Sequence, residues 1–179
     1  AWALPLAFAG LIFAWFFHSE YGVVNDVLRR LGMEPVIWFN SPRWAMAAIC
    51  LTIIWKTSSF MALIILAGLQ TIPKSLYEAA DVDGAGKLRQ FFEITLPLLR
   101  PSIVVALIFR TITALQTFDI PYTMTGGGPG TSTATLAMYI HQNTVSFLDL
   151  GYGSALAVVM FLLSMLVTAV YLRMIRSKG

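Results

Sequence analysis

Glu78-Ala79-Ala80-Asp81-Val82-Asp83-Gly84, running on to Ile94-Thr95-Leu96-Pro97, is the longest polar passage between two long apolar segments of this 179-residue chain. It reads as two short helices joined by a glycine turn. Ser75-Leu76-Tyr77-Glu78 has the form of a capping box, in which the Ser75 hydroxyl accepts from the Glu78 N–H and the Glu78 carboxylate reaches back. Pro73 suits a helix beginning, and Gly84 suits a left-handed helix end. Leu88, Phe91 and Phe92 then form an i, i+3, i+4 apolar face that is expected to stop at Pro97. Glu78 and Asp81, with two alanines beside them, make a compact acidic helix that lets another surface come close. It has the shape of a plug for a partner's socket.

The surroundings of that passage set the fold class. The chain is 58% hydrophobic and 12% charged, against about 25% charged in an ordinary soluble domain, and its mean hydropathy is +0.75. This is the composition of an integral membrane protein, and we expect an all-α, polytopic transmembrane bundle. Judged against about 20 apolar residues per crossing, four spans emerge at roughly 1–17, 44–69, 98–118 and 152–172. The first begins inside an apolar run without a basic n-region, so it reads as a span rather than a signal peptide. We expect earlier spans to be missing from this chain. Residues 1–179 then form one transmembrane domain, the carboxyl-terminal part of a six-span core, with the polar loop at 70–97 inside it.

Residues 19–43 are mixed, with Gly22, Asn25, Gly32, Pro35 and Pro42 breaking the pattern. Val23, Val27, Leu28 and Leu31 would share one face of a short helix lying at the membrane interface. Trp2, Trp15, Trp38 and Trp44 fall near span ends, where an aromatic belt would place them. Lys74, Lys87, Arg89, Arg100, Arg173, Arg176 and Lys178 lie on the side of the polar loop, against Arg29, Arg30 and Arg43 on the other. The loop and the carboxyl terminus are therefore expected in the cytoplasm. Thr125-Gly126-Gly127-Gly128-Pro129-Gly130 then faces outward; it lacks the strand and the Lys-Ser/Thr pair of a phosphate loop and reads as a flexible turn.

Net charge +3 is too small to suggest nucleic acid, and the single Cys50 excludes an intramolecular disulfide. His18 and His141 stand far apart without ligand-spaced partners, so no metal site is expected. Two basic residues lie near the middle of spans, Lys56 and Arg110, and at that depth they should face the bundle interior or a wet cavity. Arg110, Thr113, Ala114 and Thr117 share one helix face, and Thr52, Lys56 and Ser59 give a comparable stripe, with Thr57 and Phe60 beside it. Hydroxyls with an aromatic platform suit a sugar. The alternative is structural: threonines bonding their own helix, and basic groups paired with an acid elsewhere. Both readings stay open.

Glu78-Ala79-Ala80, then Gly84, then Ile94-x-Leu96-Pro97 closely resembles the signature loop of bacterial ABC importer permeases. Phe118-Asp119 followed by Thr-Gly-Gly-Gly-Pro-Gly resembles the carbohydrate-type permeases of the maltose, trehalose and glycerol-phosphate kind, and the similarity extends over nearly the whole chain. The resemblance implies a transport subunit, not an enzyme, of the bacterial cytoplasmic (inner) membrane. Glu78, Ala79, Ala80, Asp83, Gly84, Ile94, Leu96 and Pro97 would couple it to an ATP-binding cassette ATPase dimer. That partner, not this chain, would bind ATP and Mg. Ile53, Lys56, Thr57 and Phe60, with Arg110, Thr113, Ala114 and Thr117, match the family's translocation path. The implied partners are a second homologous permease, an extracytoplasmic solute-binding protein, membrane lipid and a small carbohydrate. A membrane scaffold that binds the ATPase without transporting, or an intramembrane enzyme using Asp119, Asp81 or a threonine, are the other readings. The substrate path counts against the scaffold, and the lack of convergent catalytic groups counts against the enzyme.

Overall fold

The computed structural model describes residues 1–176; Lys178, counted above among the basic residues of the tail, lies outside them. Every regular element among the described residues is helical. Three helices are long and apolar enough to cross a membrane: α3 (Pro42–Gln70), the continuous helical stretch Lys87–Leu115, and α9 (Leu150–Arg176). The expected first span is shorter than predicted. Pro5 sits at its N-cap with φ −58°, and α1 (Leu6–Phe16) has 11 residues. That is about 16 Å at 1.5 Å per residue, half of the hydrocarbon thickness of about 30 Å.

Between α1 and α3 lies α2 (Val23–Arg30); Val23, Val27 and Leu31 are exposed, but Leu28, expected on the same face, is half-buried against the core. Its other side carries Asn25, which is fully buried and binds four groups. Its amide donates to the carbonyls of Ser19 (2.8 Å) and Val36 (2.9 Å), and its oxygen accepts from the Val36 N–H (3.1 Å) and the Trp38 indole (3.0 Å). Trp38 is therefore not part of an aromatic belt. It is buried in the core with Phe17, Ala48, Ile49, Ile120 and Met124, because its N–H finds a partner there.

After α3 come α4 (Lys74–Val82) and α5 (Lys87–Gln90), then a wide π turn at Phe91–Thr95, then α6 (Leu96–Leu115). Pro97 does not stop this helix. The Leu96 N–H reaches back five residues to the Phe91 carbonyl, and this wide turn directly before Pro97 lets the helix run on past a residue that has no N–H to give. Leu88 and Phe92 are consequently exposed on one long rod. Beyond α6, α7 (Asp119–Thr125) packs on α1, and α8 (Leu136–His141) leads through a second π turn at Gln142–Ser146 to α9. The glycine-rich segment is a tied turn rather than a flexible one. The Thr133 hydroxyl donates to the Gly128 carbonyl (2.8 Å), and the Thr125 and Thr133 hydroxyls share a bond of 2.7 Å. α3 packs on α6 and α6 on α9, so the chain folds as successive helical neighbours.

Some of these neighbours touch backbone to side chain. A Cβ on Gly10 of α1 would fall on the Thr123 hydroxyl of α7, and one on Gly68 of α3 on the Ser102 hydroxyl of α6. Small residues are what allow helices to come this close inside a membrane.

Candidate functional site

A cavity of about 540 Å³ opens where the segment before α1 meets α3, α6 and the start of α7. Six of the eight residues expected on a substrate path line it: Ile53, Lys56, Thr57 and Phe60 of α3, with Thr113 of α6 and Thr117 just beyond its end. Arg110 and Ala114 do not. The residues facing the cavity are Phe109 and Thr113 on α6 and Gln116 and Thr117 just past its end, and one position on from Phe109 is about 100° further round the helix. Trp2, Gln116 and Asp119 complete the polar and aromatic lining and went unrecognised in the sequence, because they lie at or outside span ends.

Lys56 is buried, and its ammonium donates to the carbonyls of Ala1 (3.0 Å) and Trp2 (2.6 Å). Two main-chain carbonyls thus answer the cost of a charge at that depth. An ammonium has three protons, so one remains for another acceptor. The Trp2 ring stacks on Phe60 with centroids 5.3 Å apart, and Phe60 meets Phe109 at 4.9 Å. The threonines behave as the structural alternative held. Thr57 donates to the Ile53 carbonyl (2.7 Å), Thr113 to Phe109 (3.0 Å) and Thr117 to Thr113 (3.1 Å). Their oxygens keep the capacity to accept. Thr52 is fully buried on its own backbone, donating to Ala48, and the buried Ser59 hydroxyl has no partner among the described residues.

The polar loop forms a second candidate site. No capping box exists: Pro73 is the N-cap of α4, no side chain caps it, and Ser75 and Glu78 are both exposed on the helix. The fixed φ of Pro73 starts the helix earlier than the Ser75 hydroxyl could. At the other end Gly84 takes φ +73°, and the Ala85 N–H reaches the Ala80 carbonyl at 2.9 Å, closing the helix as expected. The buried Gln90 amide then braces the corner, donating to the Asp81 carboxylate and the Ala85 carbonyl. Lys87 reaches Asp81 at 3.3 Å, and the hydroxyls of Tyr77 and Thr95 meet at 2.8 Å. The Gln90 bond, and Lys87 after it, hold the Asp81 carboxyl below the usual carboxylate range. Glu78, Asp83 and Val82 stay exposed, with Val82 at 88%. Ile94, Leu96 and Pro97 are half-buried where the rod begins to descend.

The two sites are one mechanical object. Residues 87–115 form a single helical stretch of 29 residues, about 43 Å long at 1.5 Å per residue. One end is braced to α4 by Gln90 and Thr95, and the other lines the cavity with Phe109 and Thr113.

Residues 1–178 match the family model described as binding-protein-dependent transport system inner membrane component. The sulfoquinovosyl glycerol transport system permease protein SmoG of Agrobacterium fabrum is 89% identical, over 99% of this chain and 58% of its own length. The trehalose/maltose transport system permease protein MalF of Thermococcus litoralis is 45% identical, over 96% of this chain and 58% of its own. A crystal structure of a bacterial alginate ABC transporter, in complex with an alginate pentasaccharide-bound periplasmic protein, superposes with a TM-score of 0.87. The identity is 25%, over 97% of this chain and 61% of that one. This chain thus spans 58% of the length of both curated relatives.

Proposed function

The chain belongs to the family of binding-protein-dependent transport system inner membrane components, and from that premise we propose that it is part of the permease of an ATP-driven sugar importer. The polar corner at α4 faces the cytoplasm, the side with more lysine and arginine. There Glu78, Val82 and Asp83 enter a socket of an ATPase dimer that holds ATP and Mg, and a second permease completes the channel. A solute-binding protein delivers the sugar from the other side, as the periplasmic protein bound to the alginate transporter suggests.

The observation that carries this reading is the continuous rod from Lys87 to Leu115. Movement imposed on α4 passes through the Gln90 and Tyr77–Thr95 braces into one continuous helical stretch and reaches Phe109 and Thr113 at the cavity. That is the link alternating access requires. A scaffold or an intramembrane enzyme has no use for it. The likeness to SmoG supports sulfoquinovosyl glycerol as the substrate. Its sulfonate is an anion, and the remaining proton of Lys56 is the group in the cavity suited to it.

The test is uptake by the complete complex, with its sister permease, ATPase and binding protein in vesicles. We expect ATP-dependent uptake of sulfoquinovosyl glycerol, and weaker copurification of the ATPase with Glu78→Gln as salt is raised. Uptake of trehalose alone would reassign the substrate. An assembled complex that hydrolyses ATP yet moves no sugar would refute the transport reading.

A further inference from the structure

A second cavity, of about 720 Å³, lies between α7, the glycine turn and α8. Phe118 lines the first cavity and stacks on Tyr122 of the second, with centroids 4.9 Å apart and planes 19° from parallel. His141 closes the group, 5.1 Å from Phe118 and 5.7 Å from Tyr122. A ring that lines the first space therefore packs against two that line the second, and the three make an aromatic wall between them.

Their chemistry differs. The first holds Lys56 and Asp119, whereas no Asp, Glu, Lys or Arg lines the second. What lines it instead is neutral and two-sided. Tyr122 and Tyr139 are half-exposed, offering a ring face and a hydroxyl each. Gln142 is exposed at the start of the π turn and adds an amide donor and an acceptor. Gly126 and Gly130 hold positive φ with open space where a Cβ would stand, so the main chain there is bare to whatever enters. Stacking faces, neutral donors and acceptors, and a volume within the 300–1,000 Å³ typical of ligand pockets suit an uncharged pyranose ring.

We infer that this second cavity is an entry subsite for the sugar ring, next to the first cavity and separated from it by Phe118. The inference rests on the carbohydrate reading above and adds a division of labour. The entry subsite selects a polyol ring by stacking and neutral hydrogen bonds, and charge is sensed only beyond the aromatic wall, at Lys56.

The chain carries two histidines, which make an internal control: His141 sits in this cavity, while His18 stacks on Tyr21 elsewhere, with centroids 3.6 Å apart. The assembled complex is treated with diethyl pyrocarbonate, with and without sulfoquinovosyl glycerol, and acylation of each histidine is read by mass spectrometry. We expect the sugar to slow acylation of His141 at least five-fold and to leave His18 unchanged. Glucosyl glycerol, which lacks the sulfonate, should protect equally. Tyr122→Leu and Tyr139→Leu should each abolish the protection. Unchanged His141 labelling in a complex that takes up the sugar overturns the subsite and leaves the transport reading standing. Protection by the sulfonated sugar alone overturns neutral recognition. Protection by unliganded binding protein, without sugar, makes the face a protein-docking surface and overturns the subsite as well. Absence of uptake in the same complex would strike the transport reading instead, whatever His141 reports.

Discussion

Two corners of this molecule bring distant segments together, and they do so by opposite means. At the Asn25 corner one fully buried amide satisfies four groups beneath an apolar cover of Phe17, Trp38, Ile49 and Met124. At the α4 corner Asp81, Lys87, Arg89 and Glu93 do their pairing in water, with only Gln90 and Thr95 buried behind them. A hydrogen bond under cover is costly to lose because its partner is left dry, whereas an exposed ion pair contributes little and is screened by salt. The first corner is built to stay fixed. The second leaves its charges in solvent while Gln90 and Thr95 keep α4 tied to the helical stretch.

That contrast predicts a descending order of effects. Asn25→Ala should be the most damaging, because it strands the Val36 N–H and the Trp38 indole together. At about 1–3 kcal/mol for each orphan, the two together should cost about 2–6 kcal/mol, read as thermal unfolding of the complex in detergent. Gly10→Ala comes next, since the new methyl would meet the Thr123 hydroxyl. Overpacking of this kind costs about 1–3 kcal/mol, and the double variant Gly10→Ala with Thr123→Ala should recover most of it.

At the α4 corner the effects should be smaller in stability and larger in coupling. Gly84→Val meets no neighbour, so its cost is that of the left-handed φ alone, about 1–2 kcal/mol. Sugar-stimulated ATPase activity should nevertheless fall, because the turn sets how α4 is presented. If Gly84→Val lowers the melting temperature more than Asn25→Ala does, the contrast between the corners is broken.

The smallest effect concerns Asp81. Its carboxyl is held below the usual range by Gln90 and then Lys87. Its contribution is thus fully present above the ordinary carboxylate pKa of about 3.9. It is lost as the pH falls through the lower folded value. Amide-exchange protection at Ala85 should decline on acidification below about pH 4, and Gln90→Leu should flatten that decline. A decline that begins near neutral pH would point to a group other than Asp81.

Local signals in the sequence were legible where local physics decides. The three long spans, the short α2 with its valine face and the left-handed Gly84 all follow from periodicity, length and glycine geometry. What could not be read depends on partners far along the chain. Asn25 sits among turn-forming residues, and nothing nearby shows that its partners are Val36 and Trp38, 11 and 13 positions on. Trp38 looked like an interfacial anchor for the same reason. Pro97 reads as a stop unless a π turn absorbs it, and Ser75 reads as a cap unless Pro73 starts the helix first. Six of the eight residues expected on a substrate path line the cavity and Arg110 and Ala114 do not, since a stripe of hydroxyls does not say which edge faces inward. Trp2 precedes α1 and Asp119 follows α6, so neither sits on a helix face whose stripe of polar residues could be read.

The glycine contacts also constrain how this sequence can drift. Any replacement of Gly10 adds a Cβ at the place Thr123 already fills, and Gly153 stands in the same relation to Thr144. Neither glycine can change first. A lineage could lose the hydroxyl by Thr→Ala and afterwards exchange the glycine, but the reverse order passes through a disfavoured intermediate. Each contact therefore behaves in descent as a ratchet with a preferred direction, and the two helices on either side inherit their surfaces jointly.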